Sequence, residues 1–284
     1  MGDGNAVSTQ AGRCVEDSAD PDLCEHTVWF GDGIDDLYEL ATRALGAGAR
    51  RGEKLLFVAE QRDADRLRAR GEMDRLLASG QLQVLATDTV YSADAALDPA
   101  DLISMFERLL DDAISSGYRG LRVVADNTAW AADGEEAFSR WLTWEHMADR
   151  FQASSGATGI CYFDRTRLAG ERQMALASLH TARGASTPPP PFTLTAGPEG
   201  TSILAGELDL YSADAFARVV VAAPSEAPLV VDLSGVEFID HRALLVLARA
   251  ASPSRPVRLL HAAPMHRKLV ELLGAGAAAL SVEG

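Results

Sequence analysis

Four consecutive prolines, Pro188 to Pro191, divide this chain. Such a run cannot continue a helix, because proline lacks an N–H and its ring clashes with the preceding turn. Nor can it pair within a central strand. It favours a stiff, extended spacer, and with the Gly, Ala, Ser and Thr before it reads as a linker over residues 184–191. A chain of 284 residues is comfortable for two domains, and 47% hydrophobic residues allow each part a core of its own. The expected organisation is a leader over 1–22, a first domain over 23–183 and a second over 192–284. The leader is polar and acidic with no apolar stretch. It is expected to be disordered, and to be neither a signal peptide nor an anchor.

Before the prolines, short apolar strands alternate with amphipathic helices. Strands are expected at 27–30, 55–59, 82–86, 121–125 and 158–163, and helices at 35–45, 63–79, 101–115, 135–151 and 171–181. The helix over 63–79 is expected in two pieces broken near Gly71, and Asp98-Pro99 is a start signal for the next one. Alternating strands and helices imply right-handed crossovers and a mainly parallel sheet. The second unit is a smaller α/β domain. A hairpin turns at Gly197-Pro-Glu-Gly200, and a buried strand over 229–233 precedes a helix capped by Asp240.

Composition excludes some roles. Asp and Glu total 41 against 26 Lys and Arg, a net charge of −15. Nucleic acids and anionic membrane surfaces both require a basic face, so neither is expected as a partner. No apolar run spans a bilayer. Cys14, Cys24 and Cys161 are few, odd in number and without metal-like spacing, which fits a reducing cytoplasm.

Three segments of the second unit carry a resemblance: Gly206-Glu-Leu-Asp-Leu210, Leu229-Val-Val-Asp-Leu-Ser-Gly-Val-Glu-Phe-Ile-Asp240 and Ala243-Leu-Leu-Val-Leu247. In this order they resemble the STAS domain, a family that includes anti-sigma-factor antagonists. The resemblance implies a protein-binding module whose partner face borders Asp209, Asp240, His241 and Arg242. Typical antagonists carry a phosphorylated Ser directly after the Asp, where this chain has His241. Control by Ser/Thr phosphorylation at that position is therefore in doubt. His241 and Arg242 also sit in the first turn of a helix, where the helix dipole disfavours cations. They read either as solvent-facing residues of a lost switch or as contacts to an acidic or phosphorylated partner surface.

The first unit resembles the MEDS sensory family. The matching pieces are His26-Thr-Val-Trp-Phe30 with Asp35-Asp36, Leu55 to Glu60, Ala78 to Leu82, Thr89-Val-Tyr91, Gly120 to Asp126, Trp144-Glu145 and Cys161-Tyr-Phe-Asp164. The resemblance implies a RecA-like core that senses small molecules, including hydrocarbon derivatives. The nucleotide machinery is missing: Gly31-Asp-Gly-Ile-Asp-Asp36 has no Lys or Ser/Thr to hold phosphates, and its three Asp would repel them. The cofactor is thus unknown. The resemblance proposes one joint ligand pocket from His26, Glu60, Tyr91, Asp126, Trp130, Glu145 and Cys161, with Tyr91 in a long lid-like loop over 88–98. Bland readings stand beside each. Trp130 and Trp144 read as packing, Cys161 as a small inert hydrophobe, His26 as structural, and Glu145 as a surface charge near Arg140 and Arg150.

The leading reading is a cytoplasmic, non-enzymatic regulator. A small ligand on the first unit would control how the second engages an anti-sigma factor, a serine kinase or another STAS protein. A homodimer is left open. A constitutive scaffold with a vestigial sensor is the alternative. A Cys161-dependent enzyme is the third reading, and no nucleophile elbow, metal motif or intact phosphate loop supports it.

Overall fold

The computed structural model describes residues 13–15, 20–91, 98–224, 228–272 and 279–283. Seven strands form the first sheet: β1 (Arg13–Val15), β2 (His26–Gly31), β3 (Lys54–Ala59), β4 (Leu82–Ala86), β5 (Leu121–Asp126), β6 (Ala157–Asp164) and β7 (Ala182–Gly184). Their order is β1-β7-β2-β6-β5-β3-β4, with every pairing parallel. The helices are α1 (Ile34–Arg51), α2 (Gln61–Arg68), α3 (Asp74–Ala78), α4 (Thr87–Val90), α5 (Pro99–Ser115), α6 (Thr128–Ala132), α7 (Glu135–Ser154) and α8 (Gly170–Ala177). Side chains alternate across each strand, and that alternation separates two cores. Trp29, Phe57, Val124, Ile160 and Tyr162 pack with α1 and α2 on one face. Val28, Phe30, Leu56, Ala125, Cys161 and Phe163 pack with α5, α7 and α8 on the other. Both faces are covered, which is why these strands read as continuous apolar runs.

The second sheet has the order β12-β11-β10-β9-β8. It is built from β8 (Phe192–Ala196), β9 (Ser202–Leu208), β10 (Leu229–Ile239), β11 (Val257–Leu260) and β12 (Leu280–Val282), with α9 (Ala213–Ala222), α10 (His241–Ala250) and α11 (Pro264–Leu272). Only the β8–β9 hairpin is antiparallel among the described pairings. Asp98 and Asp240 cap α5 and α10 as their sequence positions predict, each accepting backbone N–H groups of its first turn.

Several expectations need correction. Arg13–Val15 of the supposedly disordered leader pairs with β7 as the edge of the first sheet; residues 1–12 and 16–19 lie outside the described residues. The helix expected to reach residue 181 ends at Ala177, and the chain turns into β7. Strands of three residues are too short to show periodicity, so sequence pattern misses both. The proline segment is not a free spacer. Thr187 is buried and its hydroxyl accepts the Phe30 N–H, while Pro188 to Pro191 line a groove with Phe30, Gly170 and Met174.

The two domains also share an apolar interface. α9 packs on α7 and α8, and β8 packs on α7, so one apolar core runs from Trp144 and Leu176 to Phe192 and Phe216. Polar contacts reinforce it. His146 Nε2 donates to the Val219 carbonyl at 2.8 Å, and Arg150 donates to the carbonyls of Gly200 and Thr201. The Leu194 N–H donates to the Ser178 carbonyl at 2.7 Å.

Candidate functional site

Helix α7 is the central element of the site. A helix on a protein surface buries one stripe, yet α7 buries residues on several sides, including Trp141, Trp144, Glu145, His146, Ala148 and Asp149. It is held between the first sheet and the second domain. That placement overturns the reading of Glu145 as a surface charge: its side chain is wholly buried and faces the start of β2.

Four chemistry-bearing side chains converge there from four elements. His26 opens β2, Cys161 lies in β6 on the same sheet face, Glu145 projects from α7, and His180 follows α8. His26 Nε2 lies 3.2 Å from Glu145 Oε2 and 3.5 Å from Cys161 Sγ. Glu145 Oε2 lies 3.9 Å from Cys161 Sγ and 3.7 Å from His180 Nε2. The two imidazole rings meet at a 30° tilt with centroids 3.8 Å apart. Outer partners orient these groups. The Trp141 indole N–H donates to Glu145 Oε1 at 2.7 Å, and His180 Nδ1 donates to the Leu176 carbonyl at 2.8 Å. Asp149 Oδ1 stands 3.4 Å from His26 Nδ1. Three polar atoms of the cluster, His26 Nδ1, His180 Nε2 and Asp149 Oδ1, are buried without a hydrogen-bond partner.

Burial and charge set the protonation of the cluster. Burial opposes charging of His26, yet Cys161, Asp149 and Glu145 raise its pKa well above 6.5. Cys161 exerts its charge effect only as a thiolate, and burial pushes its pKa up to about 11. With Cys161 a neutral thiol, the contact to Glu145 at 3.2 Å is the closest one raising the His26 pKa. Burial also opposes ionisation of Glu145, but the hydrogen bond and charge of His26, with the indole of Trp141, bring its pKa below the usual carboxylate range. Burial lowers His180 to about 4, so it is neutral. These shifts favour a charged His26–Glu145 pair beside a neutral His180 and a protonated Cys161 thiol.

Cys161 also lines a cavity of about 40 Å³ with Tyr91, Phe106, Trp144, Ala148 and Phe151. A buried water needs roughly 10–15 Å³ in this measure, so the cavity admits only a molecule of a few heavy atoms. Tyr91 is buried rather than part of an open lid. It follows the short helix α4 and meets Trp130, Trp141 and Trp144 edge-on. Residues 92–97 of the expected loop lie outside the described residues.

The expected joint pocket is two separate places. Glu60 and Asp126 sit at the carboxyl ends of β3 and β5, where they line a second pocket with Arg62, Thr128, Tyr162 and Arg167. Burial raises the Asp126 pKa, against hydrogen bonds from Thr128. His26 starts its strand and so lies toward the opposite edge. In the phosphate-loop position, the Asp32 N–H donates to Asp36 and the Gly33 N–H donates to the Tyr162 hydroxyl. In the second domain, Asp209 and Asp240 spend their carboxylates on local turns. His241 and Arg242 are exposed, as are Leu210, Tyr211 and Phe238, which lie in or just after the paired ends of β9 and β10, the latter leading into α10. Sequence reasoning missed His180, Asp149 and Trp141. The pairs Trp141/Glu145 and Glu145/Asp149, each four residues apart on one helix face, were the available signal.

The chain is thus an α/β domain with a buried polar cluster, joined to a smaller mixed-sheet α/β domain. The chain belongs to the MEDS family, the methanogen/methylotroph, DcmR sensory domain, whose model matches residues 25–181. A STAS domain model of the Mlab type matches residues 198–281. A comparison with curated proteins finds no match. Among the described residues, no helix is long and apolar enough to cross a membrane.

Proposed function

We propose that this protein regulates by binding rather than by catalysis: a small ligand at the His26–Glu145–Cys161 cluster and its cavity changes how the STAS domain engages a partner protein. One observation carries the reading. Helix α7 presents Trp144, Glu145 and Ala148 to the cluster and cavity, and the adjacent His146, Asp149 and Arg150 to the second domain. A ligand that shifts α7 by a fraction of an ångström acts on those hydrogen bonds directly. It must favour one of two arrangements of α7 to have any effect.

The partner face is the exposed patch around His241 and Arg242, with the exposed Leu210, Tyr211 and Phe238 at the paired ends of β9 and β10. An acidic or phosphorylated surface suits it, as on an anti-sigma factor, a partner-switching kinase or a second STAS domain. Partner affinity unchanged after joint replacement of His241 and Arg242 by Ser would remove this face.

The coupling is tested by hydrogen exchange on the full chain. Trp130, Trp141 and Trp144 flank the cluster and cavity, so their fluorescence reports ligand binding during a screen of small alcohols, aldehydes and halocarbons. The expected result is a ligand that quenches or shifts this emission and changes amide protection in 192–208 and 213–222. A ligand that binds without altering protection there would leave the second domain as a constitutive scaffold.

A further inference from the structure

The donor atoms of His26, Glu145, Cys161 and His180 all lie within 4.8 Å of one another, and all four residues are buried. We propose that these residues form a closed, four-coordinate site for a divalent transition metal of the zinc class. Bond lengths of about 2.0–2.3 Å to N, O and S ligands place tetrahedral donors about 3.3–3.7 Å apart. Four of the six separations among these atoms, 3.2, 3.5, 3.7 and 3.9 Å, bracket that spacing, and the other two are within 4.8 Å, so small side-chain adjustments close the tetrahedron. Two imidazoles, a thiolate and a carboxylate suit zinc, and the thiolate and imidazoles disfavour calcium and magnesium.

The outer partners fit ligation as well. A metal-bound histidine normally donates its other ring N–H to a carbonyl or carboxylate. His180 Nδ1 donates to the Leu176 carbonyl, so its Nε2 lone pair points into the cluster, where it has no hydrogen-bond partner. His26 Nδ1 faces Asp149 Oδ1. Trp141 occupies one oxygen of Glu145 and leaves Oε2 toward the other donors. Loading the site expels two protons to solvent, one from the Cys161 thiol and one from His26 Nε2, because the ligands must be deprotonated.

The site also reaches the second domain. Asp149 turns one oxygen to His26 and with the other accepts the N–H of Ala196 in β8. A metal on His26 is thus two steps from the STAS sheet. This last link rests on the sensory reading; metal binding itself does not.

The test uses the full chain, freed of metal by chelation and titrated with zinc or with cobalt(II) alone. The expected result is one metal per chain, with a thiolate-to-cobalt charge-transfer band and the intense visible bands of a tetrahedral centre. Cys161→Ser, a near-isosteric change, removes the charge-transfer band, and His180→Ala weakens binding at least tenfold. Cys24→Ser leaves both unchanged. Hydrogen exchange at 192–196 is then compared with and without zinc. A folded wild-type chain that takes up no stoichiometric cobalt or zinc overturns the metal site and leaves the sensory reading to organic ligands. A cobalt band that survives Cys161→Ser also overturns it. Stoichiometric binding with unaltered exchange at β8 keeps the site and removes its role as the input.

Discussion

Asp149 faces His26 across 3.4 Å with one carboxylate oxygen, while its other oxygen accepts the backbone N–H of Ala196. One side chain thus joins the buried cluster of the first domain to the first strand of the second. Asparagine at this position has a single acceptor oxygen. In Asp149→Asn either His26 or Ala196 therefore meets an N–H donor instead of an acceptor. The expected loss is about 1–3 kcal/mol of stability, with faster exchange of the Ala196 amide. Urea unfolding with stability unchanged and the Ala196 amide still protected would show that this bridge does not hold.

Arg122 is fully buried in β5 and donates to both oxygens of the equally buried Glu53, and to the carbonyl of Pro21. Asp20 Oδ1 also stands 3.4 Å from the guanidinium, so Glu53→Ala removes the closest of the Arg122 partners rather than all of them, and is expected to cost at most about 3 kcal/mol, the low end for a broken buried pair. Replacing both residues by apolar ones of similar size, Glu53→Leu with Arg122→Met, removes the charge along with its partner and is expected to cost much less. Denaturation of the single and double variants checks this, and a double variant as damaged as the single one would contradict it.

Gly206 adopts φ +91°, and a Cβ there would lie 2.4 Å from the Pro191 carbonyl oxygen. That carbonyl accepts the Glu207 N–H where the proline segment enters the second domain. Strain of this kind costs about 1–3 kcal/mol before any clash. Gly206→Ala is therefore expected to destabilise the chain by at least that much. Gly170→Ala, which meets nothing within 4 Å at the first position of α8, is expected to be neutral or stabilising by up to about 1 kcal/mol. Thermal melts of the two variants give the comparison.

His146 lies at the domain interface, where burial lowers its pKa to about 4 despite the Val219 carbonyl and the charge of Asp149; Arg150 and Arg255 add to the lowering. The unfolded chain, with an ordinary histidine near 6.5, binds the proton more readily. Stability from this residue is therefore complete above pH 6.5 and falls as pH drops from there toward 4. The stability difference between pH 7 and pH 4.5 is expected to be about 2–3 kcal/mol larger in the wild type than in His146→Gln. Equal pH dependence of the two chains would show that His146 does not report the interface.

Local pattern determined much of this molecule. The run 55–59, and 121–125 apart from its ion-paired Arg122, are interior parallel strands because both sheet faces are covered. Asp98 and Asp240 cap helices because a carboxylate before a helix meets the free N–H groups of its first turn. The proline run marks the division between the two sheets, since neither helix nor sheet can pass through it. Pattern of this kind extends over a few residues. The buried cluster does not: His26 and Cys161 are 135 residues apart, and only the pairing of β2 with β6 puts them on one sheet face. Glu145 looked like a surface charge because its neighbours Arg140 and Arg150 are polar. Tertiary structure decided otherwise, because α7 lies between a sheet and a second domain and so has buried positions on more than one side. The burial that removed water from these ionisable groups, and so gave them altered proton affinity, came from that packing alone.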